Sequence, residues 1–311
     1  MKKMKQITIA KDDPDENFKI ITDFIRSFLS ESSRANMRTK SGKKFPLMRD
    51  VIFGVANATD PIFEKYKQVV HPEHWTPLEA CQKKAAEEDW NSELNIKSVL
   101  VYVLLHSKEV IKSNLEDKAI PSEAWILAKY HHELIFEELG IELSKILKNQ
   151  GYFTCNPIYV KGYQIKKFKQ SWNPTAKRIY ASQFSVRHAA FAAGLGTFSL
   201  NEGFISDAGG IAHRIGVIVT ELELPVTKRN HTDHQENCLW YRSDGKKCGD
   251  CISKCPVNAL KAEKFGHNKD TCGLYVFGEM APYSREHYGI PQYGCGKCQV
   301  GLPCTYKVPP D

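Results

Sequence analysis

The sequence predicts an α+β (α/β) fold through about residue 225, followed by a short cysteine-rich module. Two runs of apolar and β-branched residues, 98–105 and 211–221, are typical of strands that are buried on both faces of a sheet. A long helical pattern runs from Pro121 to Asn149, as one helix or as two that meet at Gly140, with Pro121 placed where helices begin. Residues 49–56 are compatible with a strand or with the start of a helix. Eight of the ten cysteines then lie between Cys238 and Cys304. These observations predict a domain of mixed helices and strands joined to a module organised by its thiols.

The composition is that of an ordinary folded protein, with 42% hydrophobic and 25% charged residues among 311. No apolar run is long enough to cross a bilayer, and the first residues lack the apolar core of a secretion signal. We therefore expect a cytoplasmic protein with no membrane anchor and with reduced thiols. The net charge of +7 is compatible with an acidic partner such as a small ferredoxin, a flavodoxin or RNA.

The spacing of the cysteines predicts two [4Fe–4S] clusters, which need four thiolates each. Cys248-x2-Cys251-x3-Cys255-Pro256 matches the end of the bacterial ferredoxin pattern, in which the last cysteine binds the other cluster. Gly245 occupies the place of the first cysteine in that pattern, and Cys238 is the natural replacement. Crossed ligation assigns cluster one to Cys238, Cys248, Cys251 and Cys304, and cluster two to Cys255, Cys272, Cys295 and Cys298.

Zinc and disulfides are the alternatives to iron and sulfide. Paired C-x2-C motifs also build zinc sites, and disulfides would suit a secreted chain. The assignments of Cys238 and Cys304 depart furthest from the ferredoxin pattern, since Thr305 stands where proline is usual. Cys81 and Cys155 lie outside the module and are expected to be small buried hydrophobic residues.

The segment RHAAFAAGLGTFSLNEGFISDAGGIAHRIGVIVTELELP, residues 187–225, followed by the paired cysteine motifs, resembles the epoxyqueuosine reductase and reductive dehalogenase superfamily. Its A-G-L-G turn is 193–196, and its T-[DE]-L-x-L-P ending is 220–225. The later IPQYGCGKCQ resembles the I-Y-G-C-D-x-C-Q of that superfamily. The resemblance covers roughly residues 95–304.

This resemblance implies a nitroreductase-like domain that binds cobalamin without a protein ligand to cobalt, followed by a ferredoxin-like module with two clusters. We place the boundaries at 1–90 for an N-terminal helical or irregular extension, 91–228 for the nitroreductase-like domain and 229–311 for the ferredoxin-like domain. The cofactor would lie between the two domains. The resemblance assigns contacts with it to Gly194, Leu195, Gly196, Gly209, Gly210, His213 and Arg214.

The resemblance also implies a proton donor fourteen residues before Gly194, where epoxyqueuosine reductases carry an aspartate. Tyr180 stands there in this chain, and reductive dehalogenases use a tyrosine helped by a basic residue. Tyr180 is therefore the predicted acid, with Arg187 or Arg178 near it in sequence to lower its pKa. The alternative is a tyrosine that only packs under the cofactor or in the core.

The function that we expect is a cytoplasmic reductase that passes electrons through two clusters to cobalamin and on to a small-molecule substrate. A small ferredoxin or flavodoxin would supply the electrons. A tRNA substrate is not expected, because the helical-repeat region that grips tRNA in epoxyqueuosine reductases has no counterpart in this sequence. The alternatives are an electron-transfer or activating protein that reduces the corrinoid or flavin of another protein, and a flavin-dependent reductase on the same fold.

Overall fold

The computed structural model describes residues 7–10, 12–168 and 179–311, with the backbone alone for 166–168, 179 and 180. Ten strands lie in the described residues: β1 (Asn36–Arg38), β2 (Lys44–Pro46), β3 (Met48–Asn57), β4 (Ser98–His106), β5 (Thr154–Cys155), β6 (Ile165–Phe168), β7 (Ile179–Ser182), β8 (Gly196–Phe198), β9 (Phe204–Ser206) and β10 (His213–Thr220). Ten α-helices lie in the same residues: α1 (Pro14–Glu31), α2 (Ile62–Val69), α3 (Pro77–Glu87), α4 (Lys108–Ser113), α5 (Glu123–Lys148), α6 (Val186–Ala192), α7 (Leu239–Arg242), α8 (Asp250–Ser253), α9 (Lys269–Gly273) and α10 (Ala281–Tyr283).

The central sheet is antiparallel and has the strand order β3-β4-β10-β5. Strand β4 pairs along its whole length with β3 on one side and with β10 on the other. All nine of its residues are buried, which explains its unbroken apolar sequence. The prediction of a buried central strand at 98–105 is therefore confirmed, and so is the α+β fold class.

Each face of the sheet carries its own hydrophobic core. Leu100, Tyr102 and Leu104 pack with residues of α1 and α5 on one face. Val99, Val101 and Val103 pack with residues of α2, α3 and α6 on the other. Successive side chains of a strand point to opposite faces, so β4 supplies both cores. The result is a three-layer arrangement with the sheet in the middle.

Residues 1–90 do not form an extension beside this sheet. Strand β3 lies within them and pairs with β4 from Met48 to Asn57, so the predicted boundary at residue 90 cuts through the sheet. Because the sequence of 49–56 is compatible with a strand or with the start of a helix, it did not show that residues 1–90 contribute a strand to the central sheet. A strand needs its partner for its hydrogen bonds, and the partner here lies about fifty residues further along the chain.

Helix α5 is one continuous helix across Gly140, where the sequence was also compatible with two separate helices. Ser122 caps it by accepting a hydrogen bond from the Trp125 N–H. A side chain at Gly140 would come within 3.2 Å of Asn156, so the glycine allows a close approach to the segment after β5.

The segment after β10 contains short helices and turns. Two π-helical stretches, Leu274–Met280 and Ser284–Tyr288, flank α10, and a 3-10 turn spans Lys297–Gln299. Its apolar centre is small and includes Leu260 and Leu302 together with Cys238 and Cys251, packed on Ile205 of β9. Across the described residues, no helix has both the length and the apolar character needed to span a bilayer.

Candidate metal centre and adjoining cleft

Four cysteines, which we call group one, line a single small cavity. They are Cys238, Cys248, Cys251 and Cys304. Burial, together with the nearby Cys238 and Cys248, raises the pKa of Cys251 to about 12. Burial also raises the pKa of Cys304, again with Cys238, Cys251 and Cys248 as its neighbours. The structure therefore brings together the four residues that the sequence assigns to cluster one.

The remaining four cysteines of the module form group two: Cys255, Cys272, Cys295 and Cys298. Burial, together with the nearby Cys272 and Cys255, raises the pKa of Cys295 to about 11. Burial likewise raises the pKa of Cys298, whose neighbours are Cys295, Cys272, Cys251 and Cys255. Because Cys251 belongs to group one, the two groups lie next to each other.

The raised pKa values have a chemical consequence. Buried thiols that raise one another's pKa stay protonated unless a positive charge compensates them, and a metal centre supplies that charge. Within the described residues, no three His, Cys, Asp or Glu side chains are arranged to hold a single metal ion. Two neighbouring sets of four thiols match the ligand number of two four-iron clusters, and the first set lines a common cavity. The eight cysteines remain the predicted cluster ligands.

Group one is tied to the central sheet at the residues just before β10. The Ile211 N–H donates to the Cys304 carbonyl at 2.8 Å, and the Ala212 N–H donates to the Thr305 carbonyl at 3.3 Å. Gly210 has a φ of +70°, and a side chain there would come within 2.4 Å of the Cys304 carbonyl oxygen. Only glycine fits this approach of two backbones without strain.

Group two is tied to α4 and α5 by contacts that the sequence did not indicate. The Asn114 side-chain amide donates to the Cys295 carbonyl at 3.0 Å. The Lys297 ammonium is buried and donates to the Asn114 and Asp117 carbonyls at 2.8 Å. Trp125 lies against Gly296, where a side chain would overlap its ring at 2.1 Å. No spacing in the sequence could connect positions that are about 180 residues apart.

A cleft adjoins group two, and we define it by Tyr163, Arg187, Glu202, Arg214 and Tyr293. The Arg187 side chain is exposed by surface area, yet loss of solvation lowers its pKa, with the nearby Arg214 adding to the effect. Protein groups therefore surround Arg187, although water still reaches it. Loss of solvation also raises the pKa of Tyr163 to about 12. We use the word cleft for the space between these five side chains.

Glu202 and its neighbours connect the cleft to group two. The Arg187 guanidinium donates to the Glu202 carbonyl at 2.5 Å. Burial would raise the pKa of the Glu202 carboxyl, but the hydrogen bond from His267 and the charge of Lys269 lower it to about 2. Lys269 is 2.7 Å from that carboxylate and also lowers the pKa of Cys272, which burial raises.

On the other side of the cleft, a polar cluster lies along α5. The Lys129 ammonium contacts Glu133 at 3.3 Å and Gln292 at 2.9 Å, and lies 3.7 Å from the centre of the Tyr293 ring. Glu133 also accepts a 2.5 Å hydrogen bond from Arg214. Burial, with the charge of Arg214, lowers the pKa of Lys129 to about 7.

The glycines predicted to contact the cofactor are packed closely against protein. A side chain at Gly194 would come within 2.7 Å of the Lys228 carbonyl oxygen, and one at Gly196 within 2.1 Å of the Ile205 carbonyl oxygen. A side chain at Gly209 would overlap Leu105. Protein contacts thus already account for these glycines, and Leu195 is buried beside them. The hairpin of β8 and β9, which the sequence analysis did not identify, explains Gly196.

His213 and Arg214 differ in their surroundings. His213 is buried, and burial lowers its pKa to about 4, so its neutral ring donates from Nε2 to the Phe204 carbonyl at 2.8 Å. Arg214 is partly exposed in the cleft, and among the described residues its Nε has no hydrogen-bond partner. Tyr180 lies on β7 opposite Lys167. The Tyr180 side chain and all of Arg178 lie outside what the structure describes.

The cleft fits what cobalamin would require. Cobalamin presents a broad ring with amide arms and a phosphate, so its site needs a wide concave surface with polar groups that remain free. The unpartnered Nε of Arg214 is such a group, Arg187 lies beside it with one of its donors bonded to the Glu202 carbonyl, and Tyr163 and Tyr293 offer aromatic surface next to them. Cofactor binding by these residues remains a prediction.

Comparison with known proteins shows similarity at the level of structure. No protein-family model matches the sequence, and no curated protein does. Epoxyqueuosine reductase in selenomethionine-labelled form matches with a TM-score of 0.51 at 14% identity, over 93% of this chain and 66% of its own. The catabolic reductive dehalogenase NpRdhA matches with a TM-score of 0.54 at 14% identity, over 96% of this chain and 33% of its own. Its complex with 3-bromo-4-hydroxybenzoic acid matches with a TM-score of 0.52 at 13% identity over the same shares.

The chain therefore has the fold that epoxyqueuosine reductases and reductive dehalogenases share, as the resemblance predicted. It spans 66% of the length of the first and 33% of the length of the second. The match extends over nearly the whole chain, whereas the sequence resemblance began only near residue 95.

Proposed function

We propose that the protein is an oxidoreductase that holds two [4Fe–4S] clusters in groups one and two and cobalamin in the cleft, and that it reduces a small-molecule substrate. The observation that carries the proposal is the convergence of eight cysteines in two adjacent groups of four beside a cleft. The fold shared with epoxyqueuosine reductase and reductive dehalogenase supports the same reading.

Each part of the chain has a role in this proposal. The cysteines bind iron, and the contacts of Asn114 and Lys297 hold the loop of Cys295 in place. Arg187 and Arg214 bind and orient the polar arms of the cofactor. When bound, cobalamin supplies a strongly reducing cobalt. Tyr180 is the proposed donor of the proton that the reduced substrate takes up.

Metal analysis of anaerobically reconstituted protein tests the first half of the proposal. Two clusters require about eight irons and about eight sulfides per chain. About four irons, or zinc bound in stoichiometric amount, would contradict the two-cluster assignment. Electron paramagnetic resonance of the dithionite-reduced protein should then show two interacting clusters, since groups one and two are adjacent.

Calorimetric titration with cobalamin tests the second half. We expect binding by the cluster-loaded protein and an affinity at least tenfold weaker in the double variant Arg187→Met and Arg214→Met, since charge-assisted hydrogen bonds would be lost. Arg34→Met is the matched control, because Arg34 pairs with Glu138 on the surface. Absence of binding by the cluster-loaded protein would refute the cobalamin assignment, and tight binding of FMN instead would favour a flavin enzyme.

The proposed role of Tyr180 has a separate test. Tyr180→Phe should keep its cobalamin affinity and its cluster reduction but slow substrate turnover by about 10² or more, the usual scale for loss of a general acid. Full turnover in this variant would refute the role of Tyr180 and leave the cofactor assignment intact.

A further inference from the structure

Group one reaches the molecular surface at one cysteine. Of the eight cysteines in the module, Cys248 alone is exposed, while the other seven are buried or half-buried. Group two is next to the cleft, because Lys269 lies near Cys272 and pairs with Glu202. An electron that enters at Cys248 would therefore meet group one, then group two and then the cleft.

Two residues of this region have a backbone conformation that is unfavourable for any residue except glycine. Cys248 and Phe265 have φ values of +69° and +58°, in the left-handed region that costs energy for residues other than glycine. Phe265 is 50% exposed, although it is a large apolar side chain. Its backbone lies near the Tyr241 phenol and lowers the pKa of that phenol, which burial raises, so the two loops lie close together. Such strain at an exposed apolar group favours a role in contact with another molecule.

The turn before Cys248 is rigidly built. The Lys247 N–H donates to the Ser243 hydroxyl at 2.8 Å, and that hydroxyl donates back to the Lys247 carbonyl at 3.2 Å. The Gly245 N–H donates to the Trp240 carbonyl at 2.8 Å. Trp240 and Tyr241 are half-buried and pack edge to face, with ring centres 4.8 Å apart. The turn and these rings form a preorganised surface.

The segment that carries Cys248 and Phe265 has more exposed lysines than exposed carboxylates. Five exposed lysines lie in the segment 244–266: Lys246, Lys247, Lys254, Lys261 and Lys264. Three exposed carboxylates lie in the same segment: Asp244, Asp250 and Glu263. An apolar centre within a charged rim is the usual anatomy of a protein–protein contact, and the surplus of positive charge suits a negatively charged partner.

We propose that the face formed by Cys248, Phe265, Trp240 and Tyr241, with these lysines at its rim, docks a small acidic electron-carrier protein. The reduced carrier gives one electron to the cluster of group one and leaves oxidised by one electron. Two such encounters supply the electron pair for a substrate reduction. This inference rests on the proposed function, because it needs a cluster in group one.

Stopped-flow reduction of the cluster-loaded protein tests the docking face, with reduced flavodoxin as the acidic carrier and the loss of cluster absorbance as the signal. The triple variant Lys246→Glu, Lys247→Glu and Lys264→Glu should slow reduction by tenfold or more at low salt, because the attraction that speeds the encounter becomes repulsion. The matched control, Lys65→Glu, Lys97→Glu and Lys145→Glu, changes the net charge equally through exposed lysines of the sheet-bearing part. It should retain most of the wild-type rate.

Two further measurements separate the possible explanations. Photoreduced 5-deazariboflavin is small and uncharged, so it should reduce wild type and both triple variants at the same rate. Phe265→Ala should slow the reduction of the clusters by flavodoxin but not by deazariboflavin. Leu78→Ala, which truncates an exposed residue of α3, should slow neither reaction.

The docking face would be overturned if flavodoxin reduced the wild type and the variant Lys246→Glu, Lys247→Glu and Lys264→Glu at equal rates. It would also be overturned if the control triple variant lost as much of the rate. If the triple variant of the face kept the wild-type rate of reduction by flavodoxin but lost binding to RNA, the face would be a nucleic-acid surface instead. If deazariboflavin bleached no cluster in the wild type, the proposed function would fail and the docking face with it.

Discussion

Lys129 illustrates how position decides the charge of a side chain. Its ammonium lies between Glu133, Gln292 and the Tyr293 ring, and burial with the charge of Arg214 lowers its pKa to about 7. The unfolded chain would hold this proton up to about pH 10.4. The folded protein therefore gains stability as the pH rises from about 7 to about 10, because over that range the unfolded state binds more protons.

The pH dependence of trace acetylation, read by mass spectrometry, should show a midpoint near pH 7 at Lys129. Arg214→Gln should raise this midpoint by removing a like charge, and Glu133→Gln should lower it by removing an opposite charge. Exposed Lys145 on the same helix is the internal control. A midpoint at Lys129 as high as that of Lys145 would show that the side chain is not held in its buried position.

The two cysteines that depart furthest from the ferredoxin pattern allow a direct test of the grouping. Cys238→Ala and Cys304→Ala should each reduce the iron content from about eight to about four, because both line the cavity of group one. Cys81→Ala should retain about eight irons, since Cys81 lies in the core against Cys155 at a sulfur–sulfur distance of 3.2 Å. Loss of different clusters in the two variants would contradict the grouping.

At the scale of single residues, the spacing of the cysteines predicted how they group, but the sequence did not predict contacts between distant positions. The crossed assignment of the cysteines agrees with the two groups in space. Asn114 and Lys297 could not be predicted, because their role depends on a contact between positions 183 residues apart. Gly196 was assigned to the cofactor, but its small size is required by Ile205 of the neighbouring strand.

Helix α5 is the element that joins the two halves of the site. Its first turns carry Trp125 against Gly296 of the Cys295 loop, and its next turn carries Lys129 and Glu133 to the cleft. Residues three and four positions apart lie on one face of a helix, so one face serves both tasks. A shift of this helix would therefore disturb group two and the cleft together.

Gly296→Ala tests that connection. A methyl group there would overlap the Trp125 ring at 2.1 Å, and the φ of +67° disfavours any side chain. We expect iron to fall to about four per chain, with the loss confined to the cluster of group two. Gly278→Ala is the matched control, because no atom lies within 4 Å of the added methyl group. Full iron content in Gly296→Ala would show that the loop can move away from α5 without losing its cluster.

The elements of the sheet-bearing part differ in how well the sequence predicted them. Strand β4 and helix α5 have long, consistent patterns, and both were predicted. Strand β3 was ambiguous, because its N-terminal half carries exposed and half-exposed residues and its burial depends on β4. The short hairpin of β8 and β9 follows the glycine turn with only three residues in each strand, which is too few for a periodic signal.

The molecule as a whole contains two parts with different sources of stability. The sheet-bearing part has an extensive core on each face of the sheet, whereas the cysteine module contributes only Cys238, Cys251, Leu260 and Leu302 to a cluster of seven buried residues. Under the proposed function, a segment with so little apolar burial would depend on its metal centres for order.

Limited proteolysis of the apo and cluster-loaded forms should reveal this difference. We expect the apo protein to be cleaved first within 226–247 and to leave a resistant fragment that contains β4 and α5. The cluster-loaded protein should resist the same protease concentration at least tenfold longer. Equal resistance of the two forms would mean that the module folds without its clusters.

The closure of group one by Cys304 also constrains how the protein is made. Cys238, Cys248 and Cys251 are synthesised together, but the fourth residue of the group follows Cys251 by 53 positions and must then reach the Ile211 backbone. At roughly 5–20 residues per second, the ribosome needs on the order of 3–10 s for that stretch. During this interval the nascent chain presents three thiols without the fourth. Under the proposed function, delivery of the first iron–sulfur cluster would have to wait for Cys304 to emerge, and premature binding of another thiophilic metal is the hazard that the delay would create.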